Sequence, residues 1–170
     1  NEIVISTGNP VGAGANTISI GKNGNRIYAN FSSSATWTQS SDERMKKNIT
    51  DDTLGLSFIN RLRPVTFNFR KSSEYPQDFI YYDATNKNSK DDTVTHHGLI
   101  AQEVKAAMDA ENNTTFKGYE LANDGVHSIS EGNFIYPMIK AIKELSAKVD
   151  ALETENTALK ARVKTLEDAW

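Results

Sequence analysis

The last forty residues carry a heptad repeat, and it constrains the fold more than any other feature of the chain. Apolar residues recur there at alternating spacings of three and four, as at the a and d positions of a coiled coil. The seam consists of Ile135, Met138, Ile142, Leu145, Val149, Leu152, Asn156, Leu159, Val163, Leu166 and Trp170. A stripe this narrow suits a partner helix of the same kind better than packing on the chain's own domain. We therefore predict a coiled-coil helix over 131–170 and an oligomeric chain.

The number of strands in this coil is less constrained than its existence. β-branched residues at most a positions, Leu at most d positions and the single polar Asn156 favour two parallel strands. Those preferences come from isolated coils, and an attached domain can override them.

The composition limits the other classes of function. With 170 residues the chain has room for one modest domain plus appendages. A formal charge of −3 argues against nucleic acid or a membrane surface as the partner. The absence of cysteine excludes disulfides and thiolate metal sites, and no apolar run is long enough to span a bilayer. Because the chain begins with Asn1, we expect it to be a piece of a longer polypeptide.

Residues 1–40 differ from the remainder in being poor in charge and rich in Ser, Thr, Asn and Gly. Alternating or β-branched stretches predict short strands at 3–5, 17–20 and 26–31, with a turn at 21–24. Strands this short bury little surface alone. We interpret 1–40 as the C-terminal end of a β-rich stem, whose strands pair with other chains or belong to a larger β structure.

Residues 41–130 are typical of a small α+β domain. Leu54, Phe58, Ile59 and Leu62 have helical spacing, and Arg63-Pro64 ends that helix. The other predicted elements are strands at 65–69, 79–82, 119–121 and 126–129, a polar loop at 83–95 and a helix at 101–108. The predicted fold class is α+β: a stem segment, this domain and the long C-terminal helix.

The junction at Ser41-Asp42-Glu43-Arg44-Met45-Lys46 could carry chemistry. Ser41 and Lys46 can form a serine–lysine dyad, in which a neutral lysine takes the proton of the attacking hydroxyl. An ordinary lysine has a pKa of about 10.4, so the hypothesis requires burial or neighbouring positive charge, supplied on assembly. Asp42 could orient Lys46. The competing interpretation is that Ser41-Asp42 only caps a helix, for which such residues are common.

Two adjacent histidines are the other candidate. Neighbouring residues on a strand point to opposite faces, so His96 and His97 are unsuited to one metal site. We predict no metal and no cofactor, and we keep His97 as a distant candidate for assisting the dyad.

Three motifs together resemble a known family. Ser41-Asp42-x-Arg44-x-Lys46-x-Asn48-Ile49, the run 98–104 (GLIAQEV) and the run 136–145 (YPMIKAIKEL) occur in the order found in the C-terminal intramolecular chaperone domains of phage tailspikes, tail fibres and neck appendages. The resemblance covers most of 41–170. It leaves residues 1–40 as the end of the preceding fibre or spike.

The resemblance implies a homotrimer, and we therefore expect a parallel trimeric coiled coil rather than two strands. The trimer would register the upstream stem of the same polypeptide and then cut itself off. It places Ser41 at the nucleophile position, Lys46 at the base position and the cleavage between Ser40 and Ser41, with Asp42, Arg44 and His97 as possible supporting residues. The chain would be a single-turnover serine endopeptidase within a virion tail fibre or spike precursor, assembled in the host cytoplasm. The domain would be released after cleavage. Nucleic acid and membrane are not expected partners.

Two alternatives remain open at the level of sequence. One is a structural fibre tip that trimerises and never cuts. The other is a receptor-binding tip, in which Tyr81, Tyr82 and the loop 83–95 contact a host surface.

Overall fold

The computed structural model describes residues 1–8, 12–22, 25–87, 90 and 92–170, with residues 25, 34 and 35 described by their backbone alone. The chain divides into two compact units, Asn1–Thr50 and Asp51–Trp170. The predicted division into 1–40, 41–130 and 131–170 stays a prediction.

The first unit contains a four-stranded sheet. Its strands are β1 (Glu2–Ser6), β2 (Thr17–Lys22), β3 (Asn25–Asn30) and β4 (Ser34–Gln39), in the order β1-β2-β3-β4. β1 runs parallel to β2, and the other pairs are antiparallel. The three predicted strands are confirmed. The predicted turn at 21–24 falls partly on residues 23 and 24, which lie outside the described residues.

One face of this sheet is apolar and exposed. The register pairs Ile3 with Ile18, and Ile20 with both Ile5 and Ile27. Paired residues share a face, so all five isoleucines project from the same side of the sheet. Ile3 and Ile5 are 58% and 56% exposed, so this side lacks a cover within the described chain.

The second unit is mixed α+β and ends in a long helix, which confirms the predicted fold class in outline. Its helices are α1 (Leu56–Arg61), α2 (Ala101–Ala110) and α3 (Ile135–Glu167), and its strands are β5 (Val65–Phe67), β6 (His96–Gly98), β7 (Tyr119–Leu121) and β8 (His127–Ile129). β5 pairs with β6 and β7 with β8, both antiparallel. Among the described residues, no helix is long and apolar enough to cross a membrane.

The core of this unit forms where α1, α2 and the start of α3 meet. Val104, Ala107 and Met108 lie three and four residues apart, on the inner face of α2, and all are buried. Phe58 is completely buried, with its ring edge-on to Phe116 at 5.3 Å. The other buried members of the cluster are Leu54 and Phe134.

One prediction from the sequence is wrong, and one strand was missed. The predicted strand 79–82 is a series of turns, in which the Phe79 amide donates to the Pro76 carbonyl and the Tyr82 amide to the Phe79 carbonyl. Phe79 packs edge-on against Tyr75 and Tyr81, so the aromatic residues stabilise the turns rather than a strand. The strand β4 was missed, because its sequence contains one large apolar residue, Trp37, and so shows no alternation of large apolar and polar residues.

The first turns of α3 pack against the domain and form hydrogen bonds with it. Pro137 and Ala141 are buried, with Pro137 in the first turn of the helix, where proline is tolerated. Glu144 accepts a hydrogen bond from the Leu56 amide at 2.7 Å, which satisfies a free amide at the start of α1. Lys140 donates to the Asp52 carbonyl. One face of α3 therefore packs on its own domain, and the remaining faces project away.

Candidate active site

The structure brings Ser41 and Lys46 together. The Lys46 Nζ lies 2.7 Å from the Ser41 Oγ, within hydrogen-bond distance, and both side chains are exposed. This is the separation that a nucleophile and its base require. The two residues are five apart in sequence, so a local turn has to bring the lysine back.

That turn is a short 3-10 helix, Glu43–Met45, capped by Asp42. The Asp42 carboxylate accepts the Arg44 amide at 2.9 Å, and the Asp42 carbonyl accepts the Met45 amide at 3.1 Å. The Lys46 amide closes the turn on the Glu43 carbonyl at 2.9 Å. Capping and dyad geometry are therefore compatible, because the cap forms the turn that returns Lys46 to Ser41.

Asp42 engages Arg44 rather than orienting Lys46. Its two carboxylate oxygens accept the Arg44 Nε at 2.9 Å and the Nη2 at 2.7 Å. The Arg44 side-chain bonds hold the pKa of Asp42 below its usual value, the Arg44 amide lowers it further, and the charge of Lys46 contributes. Within the described residues Lys46 forms no ion pair. The Asp42 carboxylate is instead paired with the Arg44 guanidinium.

The bond between Ser40 and Ser41 follows β4 directly. Ser40 is half-buried and Ser41 exposed, so water reaches the serine hydroxyl and its lysine neighbour. An acyl group transferred to this oxygen would be open to hydrolysis.

The histidines lie in β6 of the second unit. His97 pairs with Thr66 and is exposed, and its predicted support of the dyad stays a prediction. His96 stacks on Phe67 at 5.6 Å and lies edge-on to Phe69 at 5.0 Å, which is a structural role. The described residues contain no group of three or more His, Cys, Asp or Glu side chains that could hold a metal ion.

The heptad seam is exposed along the whole of α3. Leu152 and Leu166 are 63% and 64% exposed, far more than leucine in a packed core. All of the other predicted apolar seam residues are at least 45% exposed: Ile135, Met138, Ile142, Leu145, Val149, Leu159, Val163 and Trp170.

A concave site along α3 has the lining of a coiled-coil hole. Its lining includes the a, d, e and following a positions, with two further polar residues: Val149, Leu152, Glu153, Asn156, Thr157 and Lys160. In a coiled coil, four such residues surround the knob from a facing helix. The exposed seam and this concave site are features that a coiled-coil helix shares.

Sequence reasoning missed the residues that fix α3 to the domain. Lys140 and Glu144 are four apart on the helix, but their partners Asp52 and Leu56 lie 88 residues away. The only local signal was two charged residues placed on the side of the helix away from the seam.

Residues 41–112 match the family Peptidase_S74, described as the chaperone of endosialidase. The match begins at Ser41, covers somewhat less than half of the chain and includes Lys46 and the run 98–104. It supports a C-terminal intramolecular chaperone domain, in a family named as a serine peptidase. No curated protein matches the chain.

Proposed function

We propose, from the premise that residues 41–112 belong to an intramolecular chaperone domain, that the chain assembles as a homotrimer. The trimer registers an upstream phage fibre or spike stem. Each chain then cuts itself between Ser40 and Ser41. The observation that carries the cleavage is the 2.7 Å separation of the Lys46 Nζ and the Ser41 Oγ. The exposed α3 seam supports the assembly.

The reaction is an acyl shift followed by hydrolysis. The Ser41 Oγ attacks the Ser40 carbonyl carbon through a five-membered ring while Lys46, in its neutral form, takes the hydroxyl proton. The proton passes to the Ser41 nitrogen as the C–N bond breaks, which leaves an ester between Ser40 and the Ser41 side chain. Water then cleaves the ester, giving a carboxylate on Ser40 and restoring the Ser41 hydroxyl beside a free amine. Each chain reacts once.

Assembly is the proposed trigger. A lysine acts as a base only when it is neutral, and Lys46 is exposed in the single chain. Burial between copies disfavours the charged form of a lysine, as do the positive charges of neighbouring copies. Arg44 contributes by binding both carboxylate oxygens of Asp42, while the Lys46 amine lies against the Ser41 hydroxyl.

The chaperone role follows from the order of folding events. Intertwined β stems form mostly non-local contacts between chains, which are slow to find in register. A coil that associates first raises the local concentration of the stems and aligns their ends. Cleavage then removes the template and leaves the stem kinetically trapped. This places the chain in a virion tail fibre or spike precursor that assembles in the host cytoplasm.

A second candidate is a trimeric tip that never cuts. The exposure of Lys46 favours it, since an exposed lysine is a poor base unless assembly covers it. The two candidates share the coil and differ only in whether the Ser40–Ser41 bond breaks.

Intact mass spectrometry of the denatured chain separates the two candidates. We expect the assembled wild type to yield masses for residues 1–40 and 41–170. Ser41→Ala lacks the nucleophile, and Lys46→Arg keeps the positive charge but cannot act as a base. Both should stay full length, slowed by at least about ten-thousandfold.

Two results would contradict the cleavage proposal. One is wild-type protein that is assembled yet uncut after long incubation. The other is Lys46→Arg protein that is cut at the wild-type rate. Sedimentation equilibrium tests the trimer separately, and a dimer at all concentrations would exclude it.

A further inference from the structure

An apolar groove lies beside the start of α3. Its volume is about 490 Å³, and the part nearest the helix is formed by Phe134 and Met138. The opposite wall comes from the end of α1 and from β6 and the residue after it, chiefly Ile59, Leu62 and Leu99. Among the described residues, the titratable side chains that line it are Glu131 and His97.

The first heptad of α3 differs from the later ones at its flanking positions. With Ile135 at a and Met138 at d, Ile139 is an e residue. Phe134, which immediately precedes α3 and caps it, falls at the g position. The later e positions are all polar: Ser146, Glu153, Lys160 and Glu167. Ile139 is 48% exposed in the single chain, an apolar residue where coiled coils ordinarily place a polar one.

The geometry of a parallel coiled coil predicts which residue of the neighbouring helix lies opposite Ile139. In a parallel coil, a g residue of one helix lies across from the e residue of the following heptad in its neighbour, five positions further on. Phe134 of one copy therefore faces Ile139 of the next. The relation holds for two strands or three, so it does not depend on the strand number.

We propose that the groove of each chain receives Ile139 of a neighbouring copy. This docking proposal rests on the proposed assembly through α3. It goes further in stating that the domain of one chain docks on the helix of the next. The coil would then align the domains as well as the helices, because Ile139 reaches the groove in one register only. A slip by a heptad would put Ser146 in its place.

Cysteine crosslinking tests the contact directly, since the chain contains no cysteine. In Leu62→Cys/Ile139→Cys protein we expect mild oxidation to give interchain disulfides, so that most of the chain runs as a covalent oligomer on a denaturing gel and returns to monomer on reduction. The matched control is Leu62→Cys/Tyr136→Cys, because Tyr136 is an exposed b residue of the same helical turn, directed away from the neighbour. The control should stay monomeric on the gel.

A second measurement covers the case in which the cysteine variant misfolds. By sedimentation equilibrium, Ile139→Ser should raise the dissociation constant of the oligomer at least about tenfold, since every copy loses one buried aliphatic side chain. Tyr136→Ser, with a similar change in helix propensity, should alter it by less than about twofold.

The outcomes distinguish the docking of Ile139 from the assembly through α3 on which it depends. An oligomer that forms normally, with no interchain disulfide in the Leu62/Ile139 pair and no change on Ile139→Ser, overturns the docking and leaves the assembly standing. A wild-type chain that is monomeric at every concentration overturns both.

Discussion

Residues 51–134 and the helix that follows them differ in what they do with apolar side chains. The domain encloses them: Phe58 is completely buried, and Leu54 and Val104 are almost so. The helix α3 displays them, with Leu152 63% exposed. The isoleucine face of the β1–β4 sheet behaves like the helix. The domain core is thus enclosed within one chain, whereas the seam and the sheet expose apolar surface, which we propose that other copies cover.

We expect the largest effect from a polar substitution in the seam, which tests whether the seam is an interface. Leu152→Asp would place an unpaired charge in the proposed interface and should raise the dissociation constant more than about a hundredfold. Ala151→Asp is the control, an exposed c residue one position earlier with a similar cost in helix propensity. Sedimentation equilibrium provides the measurement, and equal effects from both variants would show that the seam is not an interface.

The domain should respond in the opposite way. Phe58→Ala removes a ring packed against Phe116 and Phe134, and we expect it to lower the free energy of unfolding by about 3–5 kcal/mol. Because this core lies within one chain, the loss should be the same at every protein concentration, as measured by chemical denaturation of a Leu152→Asp background. Ile80→Ala, at an exposed turn residue, should change it by less than about 0.5 kcal/mol. A loss that depends on concentration would mean that the core also needs other copies.

The smallest expected effect concerns the domain surface. Glu111, at the end of α2, accepts hydrogen bonds from Ser57 at 2.6 Å and Arg61 at 2.8 Å, and these bonds lower its pKa in that order. A lowered pKa adds stability above the unfolded pKa of glutamate, near 4.3, and that stability is lost as the pH falls through the folded value.

This dependence can be read from melting temperatures. Glu111→Gln should melt lower than the wild type at pH 6, and the difference should shrink as the pH approaches 3. Ser57→Ala, which removes one donor, should show part of the same behaviour. A difference in melting temperature that stays constant with pH would show that ionisation of the Glu111 carboxylate does not contribute to stability.

The sequence was most informative where a pattern repeats or is strongly local. The seam residues predicted α3 because each lies three or four positions from the next. The helix at 101–108 and the strand at 126–129 were also predicted, each from a short local stretch of sequence. The strand at 79–82 was wrong because four consecutive bulky residues resemble a strand, and the turns beginning at Pro76 prevailed. The spacing of Ser41 and Lys46 allowed a dyad but could not fix one, since the outcome depends on the turn that Asp42 caps.

Contacts between distant segments were beyond prediction. Nothing local to Glu144 indicates that it meets the Leu56 amide, and nothing local to Leu62 or Leu99 indicates that they share a groove with Met138. These contacts arise only once the domain has folded.

We propose that assembly makes the Ser41–Lys46 dyad active. The most direct test is a dilution series of freshly refolded wild-type chain, in which intact mass spectrometry gives the cleavage rate and sedimentation gives the assembled fraction. The account predicts that the rate per chain rises in proportion to the assembled fraction, and that Leu152→Asp protein stays uncut. A rate per chain that is unchanged while the oligomer dissociates would contradict it.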